Sequence, residues 1–486
     1  MSIFEVDPSP TTHRTAPVAL PIGHHAHEDL SGTAGTGKTY TARQLIAQSP
    51  KGSVILAATT GIAAVNLGEG TTINAALKYF NTSDLQERYT NGVLQGVLRK
   101  HRRCGVRRIL IDEKSMLSGQ QLTLISRAID EVNAPRDRDL ERMGTDDDAA
   151  LYDDELPPEP EGEAIGLTLV GDFGQLPPIP DDNPLTGAKI PLQYAFDSPQ
   201  WDQFKAHRTT LTKIWRQDAE DFIRALQAVR KADVTAALQF FTPQRFTTIT
   251  DDAFEGTTIF AKNDAVERYN QLRLDRVTGA SMAFETIRIG KQRSDWVQKA
   301  NGSGIPDRLR LKEGALVMIL ANRRIYEDED DSTGKLIYAN GDLGVIEAEG
   351  DGDGWVVKLQ RTGGLVKVLP LRRQHTIPLE PGRKKQLKLQ YPTTLDEHLT
   401  EDGRNEVIGS ITYMPLRAAY GCTVHKTQGL TLDHVQINIR DPFFRMPGML
   451  FVALSRARTA DGLRIIGDQA GFVERCKIEA RVQKWL

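Results

Sequence analysis

Short apolar runs separated by longer mixed stretches recur along the chain, and their length and composition predict strands alternating with helices. SVILAA at 53–58, ILIDE at 109–113 and LTLVGD at 167–172 read as buried parallel strands. TTIF at 257–260 opens a second α/β unit, which gains a further strand at 435–439. Helices are expected over 40–47, after TTGIAA at 59–64, and around Phe222, Leu226 and Val229, whose spacing is helical. Residues 305–405 instead carry short strands and turns, among them 311–320, Asn340-Gly341-Asp342 and Trp355-Val356-Val357, which predicts a small β-domain. Two regions escape the pattern. Residues 1–30, with Pro8, Pro10, Pro17, Pro21 and the His-rich GHHAHED, read as loop. Residues 133–164 read as a poorly ordered insertion, with nine acids and no base between Asp146 and Glu163.

At 486 residues the chain suits two to four domains, and 40% hydrophobic residues are enough to build their cores. No apolar run approaches the roughly 18 residues of a membrane span, so a soluble protein with no membrane partner is expected. The N-terminal residues lack the basic-then-apolar pattern of a secretion signal. Three cysteines, Cys104, Cys422 and Cys476, in no metal-type spacing point to reduced thiols and a cytoplasmic setting. A net charge of −3 decides little, because the charge is unevenly spread. Arg99, Lys100, Arg102, Arg103, Arg107 and Arg108 form one basic run; Lys367, Arg372, Arg373, Arg383, Lys384, Lys385 and Lys388 form another. Each reads either as a solvated surface or as a nucleic-acid contact. The acidic segment has the matching alternatives, a solvated loop or a mimic that covers a basic groove.

Candidate chemistry centres on Gly32-Thr33-Ala34-Gly35-Thr36-Gly37-Lys38-Thr39, which fits G-x-x-x-x-G-K-[ST]. Glycines let the backbone curl so that its N–H groups face a phosphate chain. Lys38 can reach β- and γ-phosphates, Thr39 can offer its hydroxyl to Mg²⁺, and the helix that follows adds its N-terminus. The buried apolar strand that normally precedes such a loop is replaced by His27-Glu28-Asp29-Leu30, so the first strand is expected to be weak. Asp112 and Glu113 end another strand, where the first acid can hold the metal and the second can polarise a water. Gln175, just past the strand at 167–172, can sense a γ-phosphate, and Arg456 in VALSRAR can act as a finger from a second α/β domain.

Together these segments resemble the superfamily 1 5′→3′ DNA helicases, in the petite-integration-frequency (Pif), Dda and RecD-like branch. The motifs are GTAGTGKT at 32–39, TTGIAA at 59–64, DEKSM at 112–116, GDFGQLPP at 171–178, WRQ at 215–217, HKTQGLTL at 425–432 and VALSRAR at 452–458. The resemblance implies two RecA-like P-loop α/β domains with ATP between them and Mg²⁺ as its ion. It divides the chain into residues 31–212 and residues 213–304 with 406–486. A small insertion at 76–104 would form the strand-separating pin region, and a β-barrel-like insertion would occupy 305–405. It assigns Lys38, Glu113, Gln175, Arg216 and Arg456 to catalysis, with Thr39 and Asp112 on the metal. Nucleotide contacts fall on residues 32–39, Gln175, Arg216, Gln428, Gly429 and Arg456. Thr60, Gly61, His425, Lys426 and Thr427 resemble motifs that touch single-stranded DNA.

Three departures accompany the match. Residues 1–31 contain no Gln to read adenine, Asn74 stands where the family has His, and the acidic insertion falls where relatives are shorter. The implied protein is a monomeric ATP-dependent helicase acting on single-stranded and forked duplex DNA. It would work in the cytoplasm of a bacterial or phage-infected cell, or in a eukaryotic nucleus or mitochondrion. The alternatives are an RNA helicase of the same superfamily and a nucleotide-dependent switch that clamps nucleic acid. A water-activating Glu113 argues against the switch.

Overall fold

The computed structural model of the chain describes residues 26–486 except 51, 61–62, 64–66, 68–70, 135–163, 181–190, 250–253, 293–295, 298–303, 322, 326–334, 339–341, 351–353, 361, 379–382 and 401–404. The acidic segment and most of the N-terminal loop therefore lie outside the described residues. The chain divides into two compact units, one holding residues to 59, 73–172 and 178–213, the other 60–72, 173–177 and 214–486.

In the first unit, β1 (His27–Gly32), α1 (Lys38–Gln48), β2 (Val54–Ala58), α2 (Thr82–Thr90), α3 (Val93–Arg103), β3 (Arg108–Asp112), α4 (Gly119–Asn133), β4 (Gly166–Gly171), α5 (Trp201–Ala206) and β5 (Arg208–Leu211) follow in order. Their strands lie parallel in the order β2-β3-β4-β1-β5. This is the RecA-like layout that the motifs imply. Register aligns Leu56, Leu110, Thr168 and Glu28 in one row and Ala57, Ile111, Leu169 and Asp29 in the next. The region 76–104 forms the helices α2 and α3, which pack on each other and on α4. Asn81 caps α2 by accepting from the Asp84 amide, and Ser118 with Gln121 makes a capping box at α4.

The strand expected to be weak is β1, and it lies one strand in from the sheet edge, paired on both sides and buried at every position. Its charges are satisfied in place. Glu28 accepts from Arg108 at 3.2 Å and from the Thr168 hydroxyl at 3.1 Å, while His27 meets Asp130 at 3.0 Å. Asp29 pairs with Lys114 and, at 3.3 Å, with Arg208. The basic run at 99–108 is accordingly not one solvated face. Arg108 is buried in β3, and Arg102 donates to the Val132 carbonyl at 2.6 Å.

The second unit carries α6 (Glu220–Arg230), β6 (Phe246–Thr247), β7 (Thr257–Phe260), α7 (Asn263–Asp275), β8 (Gly421–Thr423), β9 (Val435–Asn438), α8 (Met449–Leu454) and β10 (Leu463–Ile466). Its parallel sheet has the order β8-β7-β9-β10-β6. Cys422, Ile259, Ile437 and Ile465 align across four strands and are all buried. Between α7 and β8 lie antiparallel strands. A five-stranded sheet runs from Leu365–Val368 through Trp355–Leu359, Leu343–Glu349 and Leu316–Ile319 to Leu416–Ala418. Val317, Trp355, Val357, Leu359 and Leu416 build its core. The antiparallel strands begin at Ser281–Glu285 and end at Leu416–Ala418, a wider span than 305–405, because flanking segments supply edge partners.

The three thiols differ sharply in environment. Cys104 is exposed and Cys422 buried, and burial pushes the Cys476 thiol up to about 11. A maleimide at pH 8, read by intact mass and peptide mapping, should modify Cys104 in the folded protein and the other two only after denaturation. Modification of Cys476 at the rate of Cys104 would contradict this packing.

Candidate nucleotide and nucleic-acid sites

The chemistry of the first unit gathers at the C-terminal ends of its parallel strands. Gly35 and Gly37 hold φ values of 83° and 85°, which turn the loop after β1 into the first turn of α1. Gly37 caps that helix without a side-chain hydrogen bond, and the first turn holds no acid, so the amides and the helix dipole suit an anion. The Lys38 ammonium donates to the carbonyls of Gly32 at 2.8 Å and Thr33 at 2.9 Å, which fixes it under the loop. Thr36 donates its hydroxyl to the Thr33 carbonyl at 2.9 Å and braces the turn.

Beside the loop, β3 delivers Asp112 and then Glu113. The Thr39 hydroxyl lies 3.4 Å from Asp112 Oδ2, and the Glu113 amide donates to Asp112 Oδ1 at 2.7 Å. Burial raises the Asp112 pKa, opposed by the Glu113 amide, Lys38 and Thr39. Glu113 sits at φ 57°, ψ 46°, a left-handed conformation that a side chain rarely adopts. Its carbonyl accepts from the Thr59 hydroxyl at 3.0 Å and from the Met116 amide at 3.0 Å. Lys38, Thr39 and Asp112 thus lie together, with Glu113 next along the chain.

In the second unit three motifs interlock. Arg216 donates to the Ser455 carbonyl at 3.1 Å, and Gln217 donates to the Ala457 carbonyl at 2.9 Å. Arg456 is 1% exposed. Its guanidinium donates to Val452 O at 2.8 Å, Thr427 O at 3.3 Å, Leu430 O at 3.4 Å and the Ser455 hydroxyl at 2.8 Å. Arg456 therefore ties HKTQGLTL to VALSRAR from inside, and Arg216 with Gln217 adds WRQ. Gln175 is buried in the loop 173–177, against Gly448 at the start of α8. Gln428 is buried, and Gly429 turns the chain at φ 81°.

The residues assigned to single-stranded DNA fare differently. Thr427 is fully buried with its hydroxyl on Val424 O at 2.9 Å, so its side chain closes the short helical turn His425–Thr427. His425 and Lys426 are partly exposed. Burial lowers both, Lys426 to about 8 with help from Arg417. Thr60 accepts from the Ala63 amide at 3.2 Å, as a helix-starting residue does. Gly61 lies outside the described residues. Sequence reading missed Asp29, Lys114, Glu28, Arg108 and Gln217; charged residues in strands flanking a phosphate loop are the signal that could have found the first four.

A phosphate loop with a paired Asp-Glu strand end, in a chain with two parallel α/β sheets, is the arrangement of a P-loop nucleoside-triphosphatase. Residues 29–238 match the family model described as PIF1-like helicase. The chain is 27% identical over 445 residues to the ATP-dependent DNA helicase PIF1 of Homo sapiens, covering 90% of this chain and 58% of that protein. To the Pif1 helicase of Bdellovibrio bacteriovorus it is 27% identical over 451 residues, covering 90% and 83%. Its fold is similar to the crystal structure of Pif1 helicase from Candida albicans, with TM-score 0.64 and 22% identity over 95% of each chain. It is also similar to Bacteroides Pif1 in complex with ADP-AlF3 and ssDNA, with TM-score 0.59, 24% identity and coverage of 95% and 92%. The resemblance read from the motifs, to superfamily 1 Pif1-like helicases, is therefore met by the family model, by the curated relatives and by the fold. The chain spans about 58% of the length of the human relative.

Because its planar guanidinium holds three carbonyls at once, Arg456 is not replaceable by Lys. Arg456→Lys should lower the stability of the second unit by about 2 kcal/mol or more, the scale of lost charged hydrogen bonds. Urea unfolding followed by tryptophan fluorescence would read it. Unchanged stability with lost ATP turnover would instead give Arg456 a purely catalytic role.

Proposed function

We propose that this chain is an ATP-dependent DNA helicase that moves 5′→3′ along single-stranded DNA and separates duplex ahead of it. The observation that carries the proposal is the meeting of Lys38, Thr39 and Asp112 at one phosphate loop, with Glu113 next after Asp112. Its similarity to named DNA helicases over 90% of its length supports the choice of substrate. In this reading the loop amides and Lys38 bind the β- and γ-phosphates, and Glu113 takes a proton from the attacking water. By the motif resemblance Gln175 and Arg216 are assigned to the γ-phosphate, whereas Arg456, buried on carbonyls, holds the motifs around it in shape. His425 and Lys426 are assigned to the DNA strand, together with Thr60, Gly61 and the backbone at Thr427.

The donor set fits Mg²⁺. Thr39 and Asp112 offer a hydroxyl and a carboxylate side by side, and magnesium takes one or two such oxygens together with phosphate oxygens. Neutralisation of phosphate charge is what the ion supplies when bound. Directed movement further requires that affinity for DNA differ between nucleotide states. Contacts to phosphates and stacked bases would leave little sequence preference. Among the described residues no helix is long and apolar enough to cross a membrane.

Turnover measured by phosphate release tests the assignment. ATP hydrolysis should rise when single-stranded DNA is added. Glu113→Gln should keep ATP binding while hydrolysis falls about 10²- to 10⁴-fold, the range of a positioned base. Wild-type hydrolysis by Glu113→Gln in the presence of DNA would remove Glu113 from that role.

A further inference from the structure

We infer that Lys114 is a positioning residue for the hydrolytic step, acting through its ion pair with Asp29 on the Glu113 backbone. The inference rests on the reading of Glu113 as the water-activating base.

Lys114 directly follows Glu113, and it is completely buried. Its ammonium leaves the end of β3, crosses β4 and reaches β1, where it pairs with Asp29 and donates to the Ser31 hydroxyl at 2.6 Å. Ser31 in turn donates to Asp29 Oδ2 at 3.0 Å, and Arg208 meets the same oxygen at 3.3 Å. Burial lowers Lys114 to about 8, and Asp29 opposes that shift. The crossing is possible because Gly171 ends β4. A Cβ there would stand 2.8 Å from the Lys114 amide nitrogen and 3.0 Å from its Cγ.

The consequence falls on Glu113. This residue is held at φ 57° between β3, which the sheet fixes, and a single short turn over Lys114–Met116. An L-residue relaxes out of the left-handed region unless its surroundings over-determine it. Asp112 and Thr59 hold Glu113 on the strand side. Beyond it, the Lys114 side chain anchors the chain to β1, the strand that also launches the phosphate loop. A buried ion pair contributes little net stability against apolar residues of equal volume, so its use here is geometric. Through it, the carboxylate that activates water and the loop that holds the phosphates share one rigid reference.

The test removes both fully buried charges of the pair and leaves Arg208, whose side chain is 22% exposed, to solvent. In Asp29→Leu with Lys114→Met, the thioether keeps volume beside the Trp201 ring, which lies 5.9 Å from the ammonium. The double variant should unfold near the wild-type midpoint and bind a fluorescent ATP analogue within about threefold of wild-type affinity. Its DNA-stimulated kcat should fall at least tenfold at unchanged KM. A kcat within twofold of wild type would overturn the inference, as would an equal loss of analogue binding, which would make the pair a support of the phosphate loop. If the double variant does not fold, Arg208→Gln serves, since Arg208 reaches solvent. It should lower kcat several-fold at constant KM, and an unchanged kcat would overturn the inference. Glu113→Gln measured alongside separates the two readings: full activity there refutes the base itself, whereas full activity confined to the pair variants refutes only its positioning.

Discussion

Buried charge paired within the first parallel sheet is the constraint on which the rest depends. β1 places the phosphate loop, yet only Leu30 among its six residues is a large apolar side chain. An uncompensated buried ion costs several kcal/mol, so this strand can occupy the interior only if each charge is met by an opposite one. Two cations of β3 and its following turn do this, Arg108 at the near end and Lys114 at the far end. Each crosses β4 at a glycine: a Cβ at Gly166 would stand 2.7 Å from the Arg108 guanidinium, and one at Gly171 would meet Lys114. Strand order is thereby specified by charge as well as by apolar rows. Loss of one partner should cost about 3–5 kcal/mol, whereas loss of both could be nearly neutral.

The second unit solves a related problem differently. Its sheet is conventionally apolar, and its largest fully buried side chain is Arg456. That guanidinium donates to carbonyls of the turns at 427–430 and of α8. Helix ends leave such carbonyls without intrahelical partners, and one planar fork meets several at once. The motifs at 215–217, 425–432 and 452–458 are thus one packed unit, and a change in any of them is felt in the others.

The apolar strands at 53–58, 109–112, 167–171, 257–260 and 435–438 were legible because continuous hydrophobic runs reflect burial on both faces. The phosphate loop and the Asp112-Glu113 strand end were legible because short motifs carry their chemistry locally. β1 was not, since its partners Arg108, Lys114 and Thr168 lie 80 or more residues away in sequence. The same limit applies to the basic run at 99–108, where Arg108 turns inward and Arg102 caps a carbonyl of α4. Burial of Thr427 and Arg456 was also hidden, because a motif names a residue type without saying whether the side chain faces a ligand or its own backbone. The β-region was recognisable as such, but its edge strands at 281–285 and 416–418 are short and lack turn signals that would bound them.

The central claim is directed, ATP-driven strand separation. It is tested most directly with two partial duplexes of identical sequence, one carrying a 5′ single-stranded tail and one a 3′ tail. Release of the labelled strand is followed with ATP and with a non-hydrolysable analogue. The account predicts unwinding of the 5′-tailed duplex with ATP alone and little or none of the 3′-tailed one. Unwinding of neither substrate while DNA-stimulated hydrolysis persists, or release supported equally by the analogue, would contradict it.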